Sequence, residues 1–460
     1  IKNRGNFMLN YFINKLNLST NKKNVAKISM GTIIGQIISV ITLPIVTRLY
    51  DANILGLWAL MNSIILIINS FSDLGLSNSL MVQKDAEVEQ SYRVISTVSF
   101  LFSTAAGIIL SLFYVSIVDN IEFNKFFFMG YIMLASFTTQ QTQICYTWLN
   151  RDSNYNLLMK NPIIHNIVYG ILAIILGIIG FEKYGYFIAY VGAQFITLLN
   201  MKMALPKVLF TVKVTDFKKV FSENKSFLQY QTPTNMISVF QSQLPTFLIK
   251  TFWNTEMLGY YSITVKVLKV PITFLAKAIG RVFFQVTSKM KIEGKNIGNY
   301  VSNNLMKNMK IAVAPIILLM AIGDVIIVFF LGQDWKVAGE FIRLLSLQYY
   351  FMFIMGTVQG LSITLKKQHY AMITNIVQSI GYILGAIVGK FWFDDIYITL
   401  IIMSLFFIIV QIFYFCALLH TMNAPVWKYL INVISSISFI IVGSYFIRIL
   451  LKMVFPSVFV

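Results

Sequence analysis

The sequence predicts an all-α polytopic membrane protein, and three observations support this fold class. Of the 460 residues, 57% are hydrophobic and only 12% are charged, whereas a soluble domain contains about 25% charged residues. Apolar runs of about 20 residues, the length that a helix needs to cross the hydrocarbon core, recur along the whole chain. Lysine and arginine are distributed very unevenly between alternate loops. Together these features exclude an ordinary soluble protein.

Thirteen segments are long and apolar enough to be transmembrane helices. They lie near residues 25–47, 56–81, 93–118, 126–147, 161–180, 184–204, 232–252, 258–288, 308–331, 338–365, 370–391, 396–419 and 429–451. With a cytoplasmic N-terminus, the cytoplasmic span ends and loops hold 24 Lys and Arg residues and those of the opposite side hold 8. This asymmetry fixes the orientation by the positive-inside rule. The net charge of +19 therefore reflects topology and attraction to anionic lipid headgroups, and no nucleic-acid partner is predicted.

A weak internal repeat divides the chain. The junction after the first span reads YDANILG (Tyr50 to Gly56), and the junction after the seventh reads WNTEMLG (Trp253 to Gly259). A second similarity joins YNLLMKN (155–161) in the fifth span to HYAMITN (369–375) in the eleventh. Chance similarity of short segments is the alternative for either pair alone, but both pairs agree with six spans, a connector and six more spans. Parallel repeats of this kind are typical of transporters.

The predicted domain boundaries follow from this repeat and from the loop composition. Residues 7–18 carry asparagines on one helical face, which suits a helix on the inner membrane surface; a disordered tail is the alternative. The predicted segments are 1–24 (interfacial or cytoplasmic N-terminal segment), 25–204 (N-lobe, spans 1–6), 205–231 (basic cytoplasmic connector), 232–420 (C-lobe, spans 7–12) and 421–460 (an additional C-terminal span).

Four cations interrupt the eighth span, VKVLKVPITFLAKAIGRVFF (265–284): Lys266, Lys269, Lys277 and Arg281. At 100° per residue they lie within an arc of about 120°, so they form one stripe. Lys266 and Lys269 are roughly 12 and 16 Å from the outer surface, near the middle of the membrane. Lys277 and Arg281 are nearer the cytoplasm, where snorkelling to lipid phosphates is the alternative interpretation. Pro271 is expected to kink or break the span.

Acidic partners for these cations are scarce. Asp73 is expected in the inner half of the second span and Asp324 near the middle of the ninth, while Glu340 and Arg343 are placed to pair with each other across one helical turn. An excess of intramembrane cations marks a path for an anionic substrate. A phosphate or diphosphate fits, because Lys supplies a point charge and Arg a bidentate fork.

Polar side chains mark two further spans. The fourth contains SFTTQQTQ (136–143), and the seventh contains Thr232, Asn235, Ser238, Ser242 and Thr246 at helical spacing. Their hydroxyl and amide groups can line a cavity for sugar hydroxyls, or they can hold neighbouring helices together. The cavity interpretation is favoured for the cluster around Gln140 and Gln141.

The sequence lacks the motifs of nucleotide hydrolysis, of common catalytic sites and of metal binding. No stretch fits the P-loop pattern GxxxxGK[ST], and no catalytic triad or HExxH motif has a plausible context. The two cysteines and three histidines are too dispersed for a metal site, so no metal or cofactor is predicted. The loops are too short to fold as a catalytic domain. An enzyme is therefore not expected.

The residues around the first span resemble bacterial polysaccharide flippases of the Wzx type, in the multidrug/oligosaccharidyl-lipid/polysaccharide (MOP) exporter superfamily. The resemblance is carried by GTIIGQIISVITLPIVTRLYDANILGLWAL (31–60), and supported by DLGLSNSL (73–80) and LGYYSITVKV (258–267). It extends over about residues 20–420. The thirteenth span departs from a twelve-span plan, so a total of 12 to 14 spans is expected.

The resemblance implies a MOP/MATE-like arrangement of two six-helix lobes that moves an undecaprenyl-diphosphate-linked oligosaccharide across the bacterial cytoplasmic membrane by alternating access, for O-antigen or capsule synthesis. In this interpretation Lys266 and Lys269 hold the diphosphate, and Lys277 and Arg281 attract it from the cytoplasm. Arg48 and Arg343 act toward the outer mouth, although Arg48 also suits an interfacial anchor. Asp73 or Asp324 carries a coupling proton.

Further expectations concern the coupling ion, the partners, the oligomeric state and the alternative functions. The coupling ion is H+ or Na+, membrane lipids and other polysaccharide assembly proteins are the expected partners, and the default oligomeric state is a monomer. The alternative functions are a drug or metabolite exporter of the same superfamily and, from a different class, a membrane-embedded polysaccharide polymerase or glycosyltransferase. An exporter of organic cations should carry acids in its cavity, and a polymerase should display a sizeable acidic loop.

Overall fold

A computed structural model describes residues 20–81, 83, 85–112, 124–205, 213–225, 228–229 and 232–454. The expected surface helix at 7–18 lies outside these residues. In the first part of the chain the helices are α1 (Thr20–Leu49), α2 (Ala52–Ser72), α3 (Asp85–Leu112), α4 (Lys125–Arg151), α5 (Tyr155–Ile178), α6 (Glu182–Lys202) and α7 (Val214–Glu223). In the second part they are α8 (Thr232–Phe252), α9 (Thr255–Pro271), α10 (Lys277–Ile292), α11 (Gly298–Leu331), α12 (Lys336–Thr357), α13 (Leu361–Thr364), α14 (Gln368–Val388), α15 (Ile396–Thr421) and α16 (Val426–Val454).

The all-α fold class is confirmed, since the described residues contain helices and no strand. Every one of the thirteen predicted spans coincides with a helix. Eight helices in the described part of the chain are long and apolar enough to cross a membrane by length and composition. Helices α4, α6, α8, α9 and α12 also match predicted spans but have a more polar composition, as the Gln-rich and Lys-containing stretches require.

Three predicted spans differ from the observed helices. The tenth ends at Thr357 and not near residue 365, and a separate short helix (Leu361–Thr364) follows. The second ends at Ser72 and not near residue 81, because Asp73 begins a turn in which Leu74 and Gly75 have positive φ angles, and a 3₁₀ segment (Leu76–Met81) follows. Asp73 therefore lies after the helix, and its expected place inside the span is wrong. The eighth span is interrupted as predicted at Pro271, where a π-helical turn (Ile272–Ala276) separates α9 from α10.

The helices form two compact units. The described residues up to Tyr50 form one unit with Met61–Val239, and Asp51–Leu60 form the other with the described residues from Phe240 onward. In the first unit α1 packs against α5, and α4 against α3 and α6. In the second unit α12 packs against α9, α11 and α15, and α16 packs against α11. The first turns of α2 thus belong to the second unit.

The repeated motif has the same local structure in both copies. Asp51 and Asn254, at equivalent motif positions, each cap the following helix: their Oδ1 atoms accept from the N–H groups of Ile54 and Met257, both at 2.8 Å. Such Asx caps satisfy backbone donors that a helix start leaves open.

The glycines that close each copy of the motif meet in the second unit. A Cβ added to Gly56 would lie 1.9 Å from the Thr255 carbonyl oxygen, and one added to Gly259 would lie 1.9 Å from the Ala52 carbonyl oxygen. The two contacts are reciprocal, because each glycine lies against the first residue of the other helix. Backbones of membrane helices approach this closely only at small residues.

This crossing predicts that Gly56→Ala and Gly259→Ala each lower the melting temperature of the purified protein in detergent, because either methyl group forces α2 and α9 apart. Overpacking of this kind costs roughly 1 to 3 kcal/mol. The matched control is Gly130→Ala in α4, where an added Cβ has no neighbour within 4 Å; it should leave the melting temperature unchanged or raise it. Equal melting of all three variants would contradict the close crossing.

Candidate functional site

The cationic stripe is built on α9, the π-helical turn and α10. Thr264 fixes α9 against α12 through a hydrogen bond from its Oγ1 to the Ala338 carbonyl, at 2.8 Å. On α10, Gly280, Phe283 and Thr287 form the buried face. Lys277 and Arg281 lie on the exposed face. The packing of these helices therefore turns the cations away from the core of the second unit.

Lys266 and Lys269 occupy the middle of the interrupted span. Lys266 is half-buried and lies eleven residues into α9, roughly 16 Å from its start. Within the described residues its ammonium group forms no hydrogen bond or ion pair. Lys269 is exposed and lies close enough to Lys277 for the two charges to repel each other.

The π-helical turn aligns the stripe more closely than a continuous helix would. A π turn accommodates about one extra residue and so rotates the residues after it back by about 100°. Lys277 and Arg281 then move from about 20° and 60° to about 280° and 320° relative to Lys266, while Lys269 stays at about 300°. The arc that contains all four cations narrows from about 120° to about 80°.

Asp324 pairs with two arginines in the second unit. Both of its carboxylate oxygens accept from Arg448 of α16, at 3.0 and 2.7 Å, and one of them lies 3.5 Å from Nη1 of Arg343. The helix that carries Asp324 is kinked at Ile322, which has non-helical φ and ψ angles. Arg343 and Arg448 donate to the carbonyls of the two residues before that kink, at 3.1 and 2.8 Å. The arginines thus satisfy both the acid and the kinked backbone.

The expected pairing of Glu340 with Arg343 is wrong. Glu340 instead accepts a hydrogen bond of 2.6 Å from the Tyr397 hydroxyl of α15. Arg343 binds Asp324 because the kink of α11 brings that carboxylate and a free carbonyl to its guanidinium. Arg448 is the residue that sequence reasoning missed. The sequence does indicate such a role, because an arginine inside an apolar span needs an acidic or carbonyl partner.

A polar pocket of about 210 Å³ lies within the first unit. It brings together the polar stretches of the fourth and seventh predicted spans with the turn after α2. The side chains that line it carry amides, hydroxyls and one carboxylate, and they include Asn69, Asp73, Ser77, Asn78, Gln140, Gln143, Asn235 and Ser238. This set offers both donors and acceptors, which is the chemistry that sugar hydroxyls require.

Asp73 is fixed in this pocket by its own turn. Its carboxylate accepts from the backbone N–H groups of Gly75 and Ser77, both at 3.0 Å, and also from the Ser77 hydroxyl. These contacts resemble a helix N-cap and stabilise the 3₁₀ segment that follows. The acid is therefore held in place by structural hydrogen bonds at the pocket wall.

The two candidate glutamines take different positions. Gln140 lines the polar pocket, whereas Gln141 is fully buried between α3 and α4. There Gln141 exchanges hydrogen bonds with Ser96, accepting from its hydroxyl at 3.2 Å and donating to its carbonyl at 3.4 Å. Gln141 thus holds two helices together, while Gln143, which was not singled out, is exposed and lines the pocket.

Arg48 is exposed in the last turn of α1. Nearby, Tyr50 is buried and donates from its hydroxyl to the Ala173 carbonyl at 2.8 Å. The conspicuous P-x-x-T-R-x-Y pattern of the first span thus combines a buried tyrosine that fixes α1 to α5 with an arginine that is left accessible.

Comparison with known proteins decides the family. The family model for polysaccharide biosynthesis proteins matches residues 45–340, which is more than half of the chain. The chain belongs to this family. It is also 23% identical, over 286 residues, to the teichuronic acid biosynthesis protein TuaB of Bacillus subtilis (strain 168). That match covers 60% of this chain and 57% of TuaB.

Solved structures show the same fold. The lipid II flippase MurJ in an inward closed conformation matches with a TM-score of 0.73 and 14% identity, over 94% of this chain and 98% of that one. An inward-facing multidrug resistance MATE transporter of the MOP superfamily matches with a TM-score of 0.61 and 13% identity, over 87% and 98% of the two chains. This polysaccharide biosynthesis family member thus has the MOP fold, and the resemblance predicted from sequence is confirmed. Its structural neighbours are a flippase and transporters.

The hydrogen bonds of Gln141 predict a difference between two substitutions in one helix. Gln141→Leu leaves the buried Ser96 hydroxyl without its partner, and should cost roughly 1 to 3 kcal/mol of stability. Gln143→Leu changes an exposed pocket side chain and should leave the melting temperature of the purified protein nearly unchanged. If both variants melt alike, Gln141 does not have this structural role.

Proposed function

We propose that the chain flips an undecaprenyl-diphosphate-linked oligosaccharide from the inner to the outer leaflet of the bacterial cytoplasmic membrane, by alternating access. The product supplies synthesis of a surface polysaccharide such as O-antigen or capsule. The N-terminus is cytoplasmic in this proposal, in accordance with the distribution of Lys and Arg over the loops. The observation that carries the proposal is Lys266, a half-buried cation in the middle of a span with no partner among the described residues.

Electrostatics favour an anionic substrate at this position. A lysine near the bilayer centre costs roughly 2.5 to 3.5 kcal/mol on insertion scales. One phosphate charge about 4 Å away contributes roughly 4 kcal/mol at an effective dielectric constant of 20. A diphosphate therefore offsets the cost of Lys266 and leaves a favourable remainder, which a neutral substrate cannot supply.

The other cations and polar groups have complementary roles in the proposal. Lys269 shares the diphosphate with Lys266, and Lys277 and Arg281 attract it from the cytoplasmic side. Arg48 and Arg343 act toward the outer mouth. The polar pocket around Gln140 and Gln143 binds sugar hydroxyls at the cytoplasmic end of the first unit, which is where the oligosaccharide would enter.

The proposal includes a coupling ion that drives transport. Asp73 and Asp324 are the candidate proton carriers, with Na+ as the alternative coupling ion. The contacts of the two acids differ. Asp324 is held by Arg448 and Arg343, an arrangement that stabilises its ionised carboxylate. Asp73 instead lines the polar pocket of the first unit.

An exporter of organic cations is disfavoured by charge. Such a pump needs acids available to its substrate, whereas Asp324 is committed to arginines and Asp73 to its own turn. The charges at mid-span are lysines, of which Lys266 is half-buried and Lys269 is exposed. The sign of the site therefore supports a phosphate-bearing substrate over a cationic drug.

The proposal predicts that Lys266→Ala reduces export at least tenfold while the protein remains folded and inserted. The loss of a contact worth a few kcal/mol accounts for this magnitude, since 1.4 kcal/mol corresponds to a factor of ten. Surface polysaccharide is measured in cells that lack the gene and carry each variant, with protein level checked in the membrane fraction. Lys266→Arg should retain part of the activity because it keeps the charge.

The matched control is Lys291→Ala, an exposed lysine in the last turn of α10. This variant should export normally, since the lysine lies outside the stripe. The proposal is wrong for these residues if a Lys266→Ala/Lys269→Ala double variant, present at the normal level, restores surface polysaccharide as well as the wild type does.

A further inference from the structure

A second pocket lies entirely within the second unit. Of the cations proposed to bind the diphosphate, only Arg343 also lines this pocket. It encloses about 480 Å³ between α11, α12 and α15. This volume falls within the range of about 300 to 1,000 Å³ that is usual for small-molecule sites. Its lining divides into a polar end and an apolar wall.

The polar end lies where α12 and α15 begin. Glu340 is in the second turn of α12 and Tyr397 is the second residue of α15, and they are joined by the 2.6 Å hydrogen bond. Arg343 is next to them. Leu347 and Ile408, at the other end of the lining, lie roughly 16 and 18 Å from the first residues of their helices. The pocket therefore runs from the membrane surface to about half the depth of the hydrocarbon core.

The apolar wall is open on one side. Leu344, Leu347 and Ile408 form its interior, whereas Ile401 and Leu405 are 39% and 49% exposed. On a membrane-spanning helix such exposed aliphatic side chains face lipid. An acyl chain can therefore enter the pocket sideways from the bilayer.

One buried hydroxyl in the wall has no hydrogen-bond partner among the described residues. The Ser404 side chain is only 4% exposed and lines the pocket, yet its Oγ has no hydrogen-bond partner in the described part of the chain. A buried hydroxyl without a partner costs roughly 1 to 3 kcal/mol. The Oγ of Ser404 is buried behind the surface of the pocket, so it is not itself a ligand contact.

The two charged side chains that line the pocket, Glu340 and Arg343, have opposite signs. Asp324 and Glu340 are acidic, and Arg343 and Arg448 are basic. Nε of Arg343 donates to the Met320 carbonyl, and its Nη1 contacts Asp324. The described contacts do not use Nη2, which is therefore available to a ligand. Glu340 uses one oxygen for Tyr397 and retains the other. A headgroup that carries both a phosphate and an ammonium group matches this pair, whereas a purely anionic headgroup matches only Arg343.

We propose that this pocket binds a zwitterionic phospholipid of the surrounding membrane, with its phosphate at Arg343, its ammonium group at Glu340 and one acyl chain along α12 and α15. The site shares only Arg343 with the proposed oligosaccharide path, and the bound lipid stabilises the packing of α11, α12 and α15 in the second unit. The volume holds the region near the headgroup and part of one chain, and the rest of the lipid remains in the bilayer.

The test is native mass spectrometry of the purified, delipidated full chain, titrated with phosphatidylethanolamine or with phosphatidylglycerol of the same acyl chains. We expect the first phosphatidylethanolamine to bind at least fivefold more tightly than phosphatidylglycerol. Leu405→Trp should weaken this binding at least tenfold, because the indole fills the open side of the pocket. Leu384→Trp in α14, a matched control at a leucine that is 45% exposed outside the pocket, should bind as the wild type does.

A second variant keeps the test decisive if Leu405→Trp fails to fold. Glu340→Gln retains an acceptor for Tyr397 but removes the charge, so it should abolish the preference for phosphatidylethanolamine without preventing lipid binding. Equal affinity of the wild type for both lipids would overturn the proposal, as would unchanged binding by folded Leu405→Trp. So would full competition by soluble glycerophosphoethanolamine, because the acyl chain would then play no part.

Discussion

An ionised side chain in hydrocarbon requires a partner, and this constraint accounts for the arrangement of charge in the second unit. Asp324 has Arg448 and Arg343, and the same arginines satisfy carbonyls at the kink of α11. Glu340 has the Tyr397 hydroxyl. Because the described acids of the spans are already paired, they do not neutralise Lys266. The charge of Lys266 is therefore left without an acidic partner among the described residues.

Backbone geometry positions that charge. The reciprocal contacts of Gly56 and Gly259 bring α2 and α9 together at the start of each repeat, and the cap at Asn254 fixes where α9 begins. Pro271 cannot donate to the helical ladder, and the π-helical turn after it rotates α10 so that its two cations join those of α9. The stripe is thus a consequence of helix geometry as well as of composition.

Local sequence features predicted much of this structure, because apolar length, caps and prolines act within a few residues. They predicted helices at each of the thirteen candidate segments, the interruption at Pro271 and the polar character of the Gln140 stretch. They failed where a distant partner decides the outcome. The turn at Asp73, the pairing of Arg343 with Asp324 and the role of Arg448 all depend on contacts between residues that are far apart or on positive φ angles that apolarity does not reveal. Gln141 and Gln143 differ only in the helix face that they occupy.

The central claim, transport of a lipid-linked anionic oligosaccharide, is tested most directly in cells that lack the gene, by measuring the lipid-linked oligosaccharide and the surface polysaccharide in the same culture. Our account predicts that the precursor accumulates on the cytoplasmic side while the surface polymer disappears, because synthesis continues and export stops. Repeat units that reach the surface unpolymerised would indicate a polymerase instead. Unchanged levels of both pools would contradict the account.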